Sequence, residues 1–400
     1  MSNNFNTIDA LAGASLDILT GNVVVANLFN NDIEKNFTST PKIGDEVRIN
    51  RRSVVVPKVR LKGDPITIQD IDETTITFKI QNEFDNSVEI DSQTITLDIP
   101  EGEVVTSAMA LNYMDNTASR VVQPLAEGMV EAMESSILAE VANIPSTYPA
   151  TPSSSLPNSL SQFSDLATML NKAKAPLMGR NAIVNEDVYH SMITLLQKTN
   201  ESGNSDALRN NSVGKLAGFN VYMSQYFSDE VHTTGTIGTA SVTSLTLKGA
   251  SILVLDTTDE ATGTYKKGDT LIIAGYGSVV VSADATAVAN AVTVQISEPL
   301  RDDVQATSAV VTYGVTGGIA ISYKVVGFFG VPDCIGFASI APIRKGAGVD
   351  SASDEEDGYS LTVSTGFDIK QSSNILSIAS MFGVKMLDGR LGVKLVQVVA

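Results

Sequence analysis

The stretch PLAEGMVEAMESSILAEVAN, residues 124–143, decides how the rest of the chain is read. Leu125, Met129, Met133, Ile137 and Val141 recur at every fourth position, while Glu127, Glu131, Glu134 and Glu140 fill others. The spacing predicts an amphipathic helix with one apolar stripe and an acidic remainder. Pro124 suits the first helical turn, where its missing N–H is no loss, and Pro145 closes the far end. At ~1.5 Å per residue such a helix is about 30 Å long, a beam across a whole domain. Its stripe needs a sheet to lie on, and the segments that could form one come before it and well after it.

Upstream, residues 41–100 hold DEVRI, SVVVPKVRL, PITIQDI, TTITFKI, NSVEI and QTITLDI, short alternating segments rich in Val, Ile and Thr that predict a run of β-hairpins. Lys58, Arg60, Lys62, Asp64, Asp70, Asp72 and Glu73 crowd the middle of this run. They make either a solvated charged face or a projecting loop that pairs with neighbouring subunits. Residues 101–123 form a less regular helical lead-in to the beam. At the start of the chain Ile8, Leu11, Leu16 and Leu19 are helically spaced, VVVANLF follows, and no Lys or Arg precedes Lys35. An apolar, uncharged arm of this kind suits docking on another protein surface.

Downstream, FSDLATMLNKAK (residues 163–174) predicts a second helix, stopped by Pro176. Residues 181–184 read as a strand, and Asn185 caps a third helix through Val188, Met192, Leu195 and Leu196. The polar residues 199–212 read as a surface loop, after which GKLAGFNVYMSQYF turns back into a strand. Residues 231–313 differ in character: charge is sparse, Gly, Thr, Ser and Ala dominate, and SVTSLTL, SILVLD, DTLIIAG, SVVVS, AVTVQI and AVVTY come at the spacing of a small barrel or sandwich. This part reads as a domain inserted into another, because ISYKVVGFFGVPDCIGFASI resumes the pattern left off before it. GAGVDSASDEEDG (residues 346–358) reads as an acidic loop, and YSLTVSTGFDIK, NILSIASMFGVKML and GRLGVKLVQVV as two long strands and a terminal one.

Composition removes several function classes. With 400 residues, 43% of them hydrophobic, the chain can bury a large core in two or three domains. A net charge of −18 argues against a surface built to neutralise phosphate, so no sequence-specific nucleic-acid binding is expected. The single cysteine, Cys334, excludes an internal disulfide and a cysteine metal cage; beside Pro332, Ile335 and Phe337 it reads as a buried, inert thiol. MSNNFNTIDALAGAS lacks the basic start of a secretory signal, and no apolar run is long enough to span a bilayer. Synthesis in a cytoplasm with no membrane partner is the expectation.

Nothing in the sequence carries a reaction. His190 lies on a helix and His232 in a Thr-rich turn, neither with a companion motif, and two histidines with one cysteine fall short of a zinc site. Asp354, Glu355, Glu356 and Asp357 lack the alternation and central glycine of a calcium loop. Gly275-Tyr276-Gly277 and Gly346-Ala347-Gly348 lack the third glycine and following helix of a phosphate-binding turn, and Gly214-Lys215 lacks the Walker spacing. No catalytic residue, no cofactor and no metal site is predicted. An apolar arm, a charged hairpin run, a beam helix and an inserted barrel fit assembly better than turnover.

In this order the parts resemble the major capsid proteins of tailed bacteriophages, whose fold is shared with herpesvirus capsids. More narrowly they look like the coat proteins of short-tailed phages with an inserted β-barrel domain. IGDEVRI (residues 43–49), QPLAEGMVEAMES (123–135), GKLAGFNVYMS (214–224), YKKGDTLIIAG (265–275) and SIASMFGVKML (377–387) carry the resemblance. It implies an α+β capsid fold divided into an N-terminal arm (1–35), an extended loop (36–100), a peripheral domain with a spine helix (101–144 and 345–388), an axial domain (145–228, 316–344 and 389–400) and the insertion (229–315). It places the 199–212 loop near the pore of the capsomer. It further implies homo-pentamers and homo-hexamers closing into an icosahedral phage head around double-stranded DNA. The chain would be assembled in the host cytoplasm and located in the virion, with a portal protein and decoration proteins as further partners. No propeptide-like segment precedes the arm, so a separate scaffolding protein is expected. Lys58, Lys62 and Lys79 lie in the extended loop without any basis for covalent cross-linking. Two other readings stay open: an encapsulin-like nanocompartment shell of the same fold, which encloses cargo enzymes, and a β-rich surface adhesion or layer protein.

Overall fold

The computed structural model describes residues 7–30, 46–50, 60, 75–80, 82–91, 122–198, 213–257, 262–315, 318–342, 349–368 and 373–399. The chain divides into two compact units. One is formed by Met1–Val47, Lys79–Leu138 and Gly336–Lys385, the other by Arg48–Phe78, Ala139–Ile335 and Met386–Ala400. Of the predicted hairpin segments, β1 (Glu46–Asn50) and β2 (Thr75–Lys79) pair as a two-stranded sheet, and β3 (Asn82–Asp91) joins a larger one. Ile76, Phe78 and Ile80 are buried in alternation with exposed neighbours, and Lys79 pairs with Glu46. SVVVPKVRL apart from Arg60, PITIQDI and QTITLDI, like the helical lead-in at 101–121, lie outside the described residues.

The first unit is built on a five-stranded sheet in which β18 (Ile335–Ile340), β21 (Ser373–Met386), β20 (Tyr359–Asp368) and β19 (Val349–Glu356) follow in that order, with β3 also pairing with β21. The β3–β21 ladder is antiparallel and runs from Ser373↔Asp91 to Phe382↔Asn82. All six residues of β18 are buried, as are Leu376, Ile378, Ala379, Met381 and Phe382 on β21, so these strands are covered on both faces. The beam helix is present as α2 (Gln123–Val141), and Leu125, Met129, Met133, Ile137 and Val141 are all buried, as their spacing requires. Glu134 departs from the reading of an acidic outer face: it is 2% exposed.

Two corrections belong to this unit. The acidic residues read as a loop are the strand β19, paired with β20 over eight positions from Val349↔Gly366 to Glu356↔Tyr359. Composition suggested a loop, yet an edge strand tolerates Asp and Glu on its solvent side, where they also discourage sheet-to-sheet association. The helix of the leading arm has a packing surface within its own chain. This helix, α1 (Thr7–Asn22), packs against β19 and β20 of the same unit, with Ala12, Ser15, Leu16 and Leu19 buried on one face. Val23, Val25, Ala26 and Phe29 are buried behind it.

The second unit holds a seven-stranded sheet. Its order is β4 (Thr147–Tyr148), β22 (Gly392–Val398), β17 (Ser322–Gly330), β5 (Asn181–Val184), β7 (Phe219–Met223) and β6 (Lys215–Leu216), with β8 (His232–Thr233) on β17. Helices α3 (Leu160–Lys172) and α4 (Glu186–Lys198) cover it through Phe163, Leu166, Leu170, Val188 and Met192. Phe329 on β17 meets the Phe219 ring edge-on at 5.3 Å. Asn185 caps α4 as its sequence position predicts, its Oδ1 accepting the Val188 N–H at 3.1 Å. Between β7 and β6 the turn runs through Ala217 and Gly218, both at positive φ, which glycine adopts without strain.

The same unit contains a six-stranded sheet of β13 (Gly277–Val280), β12 (Thr270–Ile273), β16 (Ala309–Thr312), β9 (Thr239–Val242), β10 (Ile252–Asp256) and β15 (Ala291–Gln295). Its two outermost strands meet: a bridge joins Val281 to Ile296, Ser282 N donates to Gln295 O at 2.8 Å, and Ser297 N to Val280 O at 2.9 Å. Leu253, Leu255, Leu271, Ile273, Val292, Val294 and Val310 fill the interior, while Ile252, Val254, Ile272 and Val311 alternate outward. The short pair β11 (Thr264–Tyr265) and β14 (Ala285–Thr286) lies beside it.

Candidate functional site: the arm root and the spine helix

Residues 23–30 are fastened to the first unit at separate points. Glu134 on α2 accepts the N–H groups of Val24 and Val25 on its Oε1, at 2.6 and 2.8 Å, satisfying donors at the start of the 3-10 turn Ala26–Leu28. Burial raises the carboxyl pKa, and the two N–H bonds pull it back in part. The Tyr359 hydroxyl on β20 donates to Asn27 Oδ1 at 2.8 Å, and Asn27 Nδ2 donates to Val23 O at 2.9 Å. Phe337 N donates to Asn30 O at 3.0 Å, where Asn30 bridges Gly336 in parallel. One buried carboxylate on the helix thus sets the path of the chain that leaves α1.

The first turn of α2 is fastened to β3. Asn86 Nδ2 donates to Leu125 O at 3.1 Å, and Gly128 leaves the room: a Cβ there would stand 2.7 Å from Asn86 Nδ2. Phe84 on β3 stacks on Phe382 of β21 at 4.2 Å. Glu83, Asp85, Ser87 and Glu89 are exposed along β3, and Ser377 Oγ donates to Asp85 Oδ1 at 2.5 Å. Beneath this surface Ser380 Oγ donates to Ser360 O at 2.8 Å and Ser360 N to Ser339 Oγ at 3.2 Å, tying three strands with buried hydroxyls. In the second unit Leu177 and Met178 are 74% and 87% exposed, on a turn held by buried Arg180. Its guanidinium donates to Pro176 O at 2.7 Å and Asn171 Oδ1 at 2.8 Å.

Among the described residues, those whose types could carry chemistry are scattered. His190 is exposed on α4, Cys334 is fully buried with its thiol pKa pushed well up by burial, and Gly275 to Gly277 form the β12–β13 turn. Asp354, Glu355 and Glu356 are exposed along β19, and Lys215 opens β6. Among the described residues, no three His, Cys, Asp or Glu side chains are grouped to hold a metal. Lys58, Lys62, the 199–212 loop and Gly346-Ala347-Gly348 lie outside the described residues.

His232 does have a companion, which its Thr-rich turn did not disclose. Its Nε2 lies 2.9 Å from Oδ1 of Asp269, a fully buried carboxylate 37 residues away in sequence. The sequence reading also missed buried Lys394 and the cluster in which Arg301 pairs with Glu298 and, at 2.8 Å, with Asp388. Burial alone would raise the Asp388 pKa; hydrogen bonds and charge from Arg390 and Arg301 outweigh it and hold it below the usual value. A lone Lys inside the apolar run GVKLV was the one local sign of any of these.

No protein-family model matches the chain, and no curated protein matches it in sequence. Among solved structures it is similar to a chain from Mycobacterium phage Che8, with TM-score 0.50 and 12% identity over 93% of this chain and 90% of that one. It is also similar to a chain in the capsid of the cyanophage P-SCSP1u, with TM-score 0.43 and 10% identity over 90% and 84%. A third, from a virus-like particle from Pyrococcus furiosus, has TM-score 0.38 and 10% identity over 98% and 100%. The first likeness carries the argument; the other two, weaker, carry none. That first likeness shows the fold alone: the chain has an α+β, HK97-like capsid fold.

Proposed function

We propose that this chain is the major capsid protein of a tailed phage, forming homo-pentamers and homo-hexamers that close into an icosahedral head around double-stranded DNA. The observation that carries this reading is the set formed by a 19-residue helix, the arm root pinned to it by Glu134, and the ten-residue strand β3. These parts sit in a fold whose likeness to the phage chain extends over 93% of the sequence. An acidic protein suits the task, because DNA driven in by a motor needs no basic lining to capture it and leaves a repelling one freely.

Residues 229–315 are, on this reading, an inserted β-barrel of the kind carried by short-tailed-phage coat proteins. The hydrogen bonds joining β13 to β15 support closure into a barrel, and the segment's own core supports a separate module. The domain division set out from the resemblance goes with it, as do a scaffolding protein and a portal as partners. The test is negative-stain electron microscopy of the protein expressed alone and together with its neighbouring open reading frames. Closed shells or capsid-like spirals are expected, and a monodisperse small particle under every condition would overturn the proposal. Shells that purify with a protein cargo and no scaffold would assign the nanocompartment role instead.

A further inference from the structure

Lys394 is the most deeply buried cation among the described residues, 1% exposed on β22, between β4 and β17 of the seven-stranded sheet. Its Nζ donates to Ala142 O at 2.8 Å, a carbonyl left over by the end of α2, and to Thr270 Oγ1 at 3.1 Å, on the first residue of β12. One side chain therefore ties the strand-rich segment to the sheet and to the helix end. Around it stand Asp269 and Thr270 from the β12 side, His232 on β8, Tyr323 on β17 and the uncharged Thr147 on β4, which pairs with Lys394 in the ladder. Tyr323 meets the His232 and Tyr313 rings edge-on at 5.1 and 5.9 Å, and Tyr313 donates to Pro149 O at 2.8 Å. The Arg301, Glu298 and Asp388 cluster is a second tie between the same two parts.

Among the described residues no carboxylate pairs directly with this lysine. Asp269 spends its oxygens on His232, on Gly235 N at 3.0 Å and on Lys266 N at 2.7 Å. A neutral amine has two N–H donors, and both are used; an ammonium has a third and a charge with no counterion in contact. We propose that Lys394 is a proton-operated latch between the strand-rich segment 235–315 and the seven-stranded sheet, closed by the neutral amine and loosened when acid charges it. The inference concerns one subunit and stands whether or not the chain builds a shell.

Burial lowers the pKa from 10.5 to about 7, against the opposing pull of Asp269. The folded state then binds fewer protons at Lys394 than the opened state throughout the interval between those values. Stability from this group is complete above the upper value, declines as pH falls through the interval, and levels off below the lower one. Tyr313 and Tyr323, both raised by burial, the first to about 12, stay protonated and contribute no slope near neutrality.

The experiment is hydrogen exchange of the full chain, reading peptides across 264–273, 313–323 and 392–398 and correcting for the intrinsic pH dependence. Between pH ~8.5 and ~6.5 the opening constant of the wild type is expected to rise roughly 25-fold. Lys394→Met should flatten this response, and His232→Gln should retain it. A flat wild type, an unaltered response in Lys394→Met or a lost response in His232→Gln would each overturn the latch. If Lys394→Met does not fold, the wild type and His232→Gln decide between the same outcomes.

Discussion

Glu134 shows how a single residue joins parts distant in sequence. Its carboxylate is buried on the spine helix and spends one oxygen on two backbone donors more than 100 positions earlier. Glu134→Ala leaves the buried Val25 N–H, and the half-buried Val24 N–H, without this acceptor, which is expected to cost roughly 1–3 kcal/mol in a chemical denaturation curve. Glu134→Gln keeps an acceptor and removes the buried charge, and should lose less than half as much. Equal losses in the two variants would mean that the volume of the side chain, and not its oxygen, holds the arm root. Sequence spacing placed Glu134 among the solvated acids because a helical wheel separates residues by angle alone. The N–H groups that Glu134 serves come from a segment folded over that part of the wheel.

At the scale of elements, the contact between β3 and α2 rests on the absence of a side chain. Gly128 interrupts a helix in which alanine would ordinarily gain about 1 kcal/mol. A methyl there, however, meets Asn86 Nδ2 and displaces its bond to Leu125 O. Gly128→Ala alone should therefore leave stability unchanged or reduce it, while in an Asn86→Ala background the same change should stabilise by about 1 kcal/mol. Additive effects in this double-mutant cycle would remove the close approach as the reason for the glycine. The elements themselves were largely legible: α2, α3, α4, β5, β20 and β21 follow their periodicity and caps. β19 was not, since its acidic residues satisfy a strand only because β20 and α1 supply the other side.

For the whole molecule, a net charge of −18 makes copies of the chain repel one another before any specific contact forms. On the capsid reading, shell assembly from purified subunits is expected to speed up when salt is raised from about 0.05 to 0.5 M, as the screening length falls from above 10 Å to below 5 Å. Light scattering would follow it, and slower assembly at high salt would show that attraction between opposite charges on neighbouring subunits dominates. By itself the sequence determined the α+β class, the helix that organises the first unit, the strand-rich character of residues 231–313 and the absence of any local motif for catalysis. Those features depend on periodicity, composition and spacing, which are properties of neighbours along the chain. Only the tertiary structure decided that the arm packs on its own unit, that His232 faces Asp269, and that Lys394 and Glu134 are buried. Each of these depends on which distant backbone groups come within hydrogen-bonding reach, and on how far water is excluded once they do; neither is encoded in local spacing.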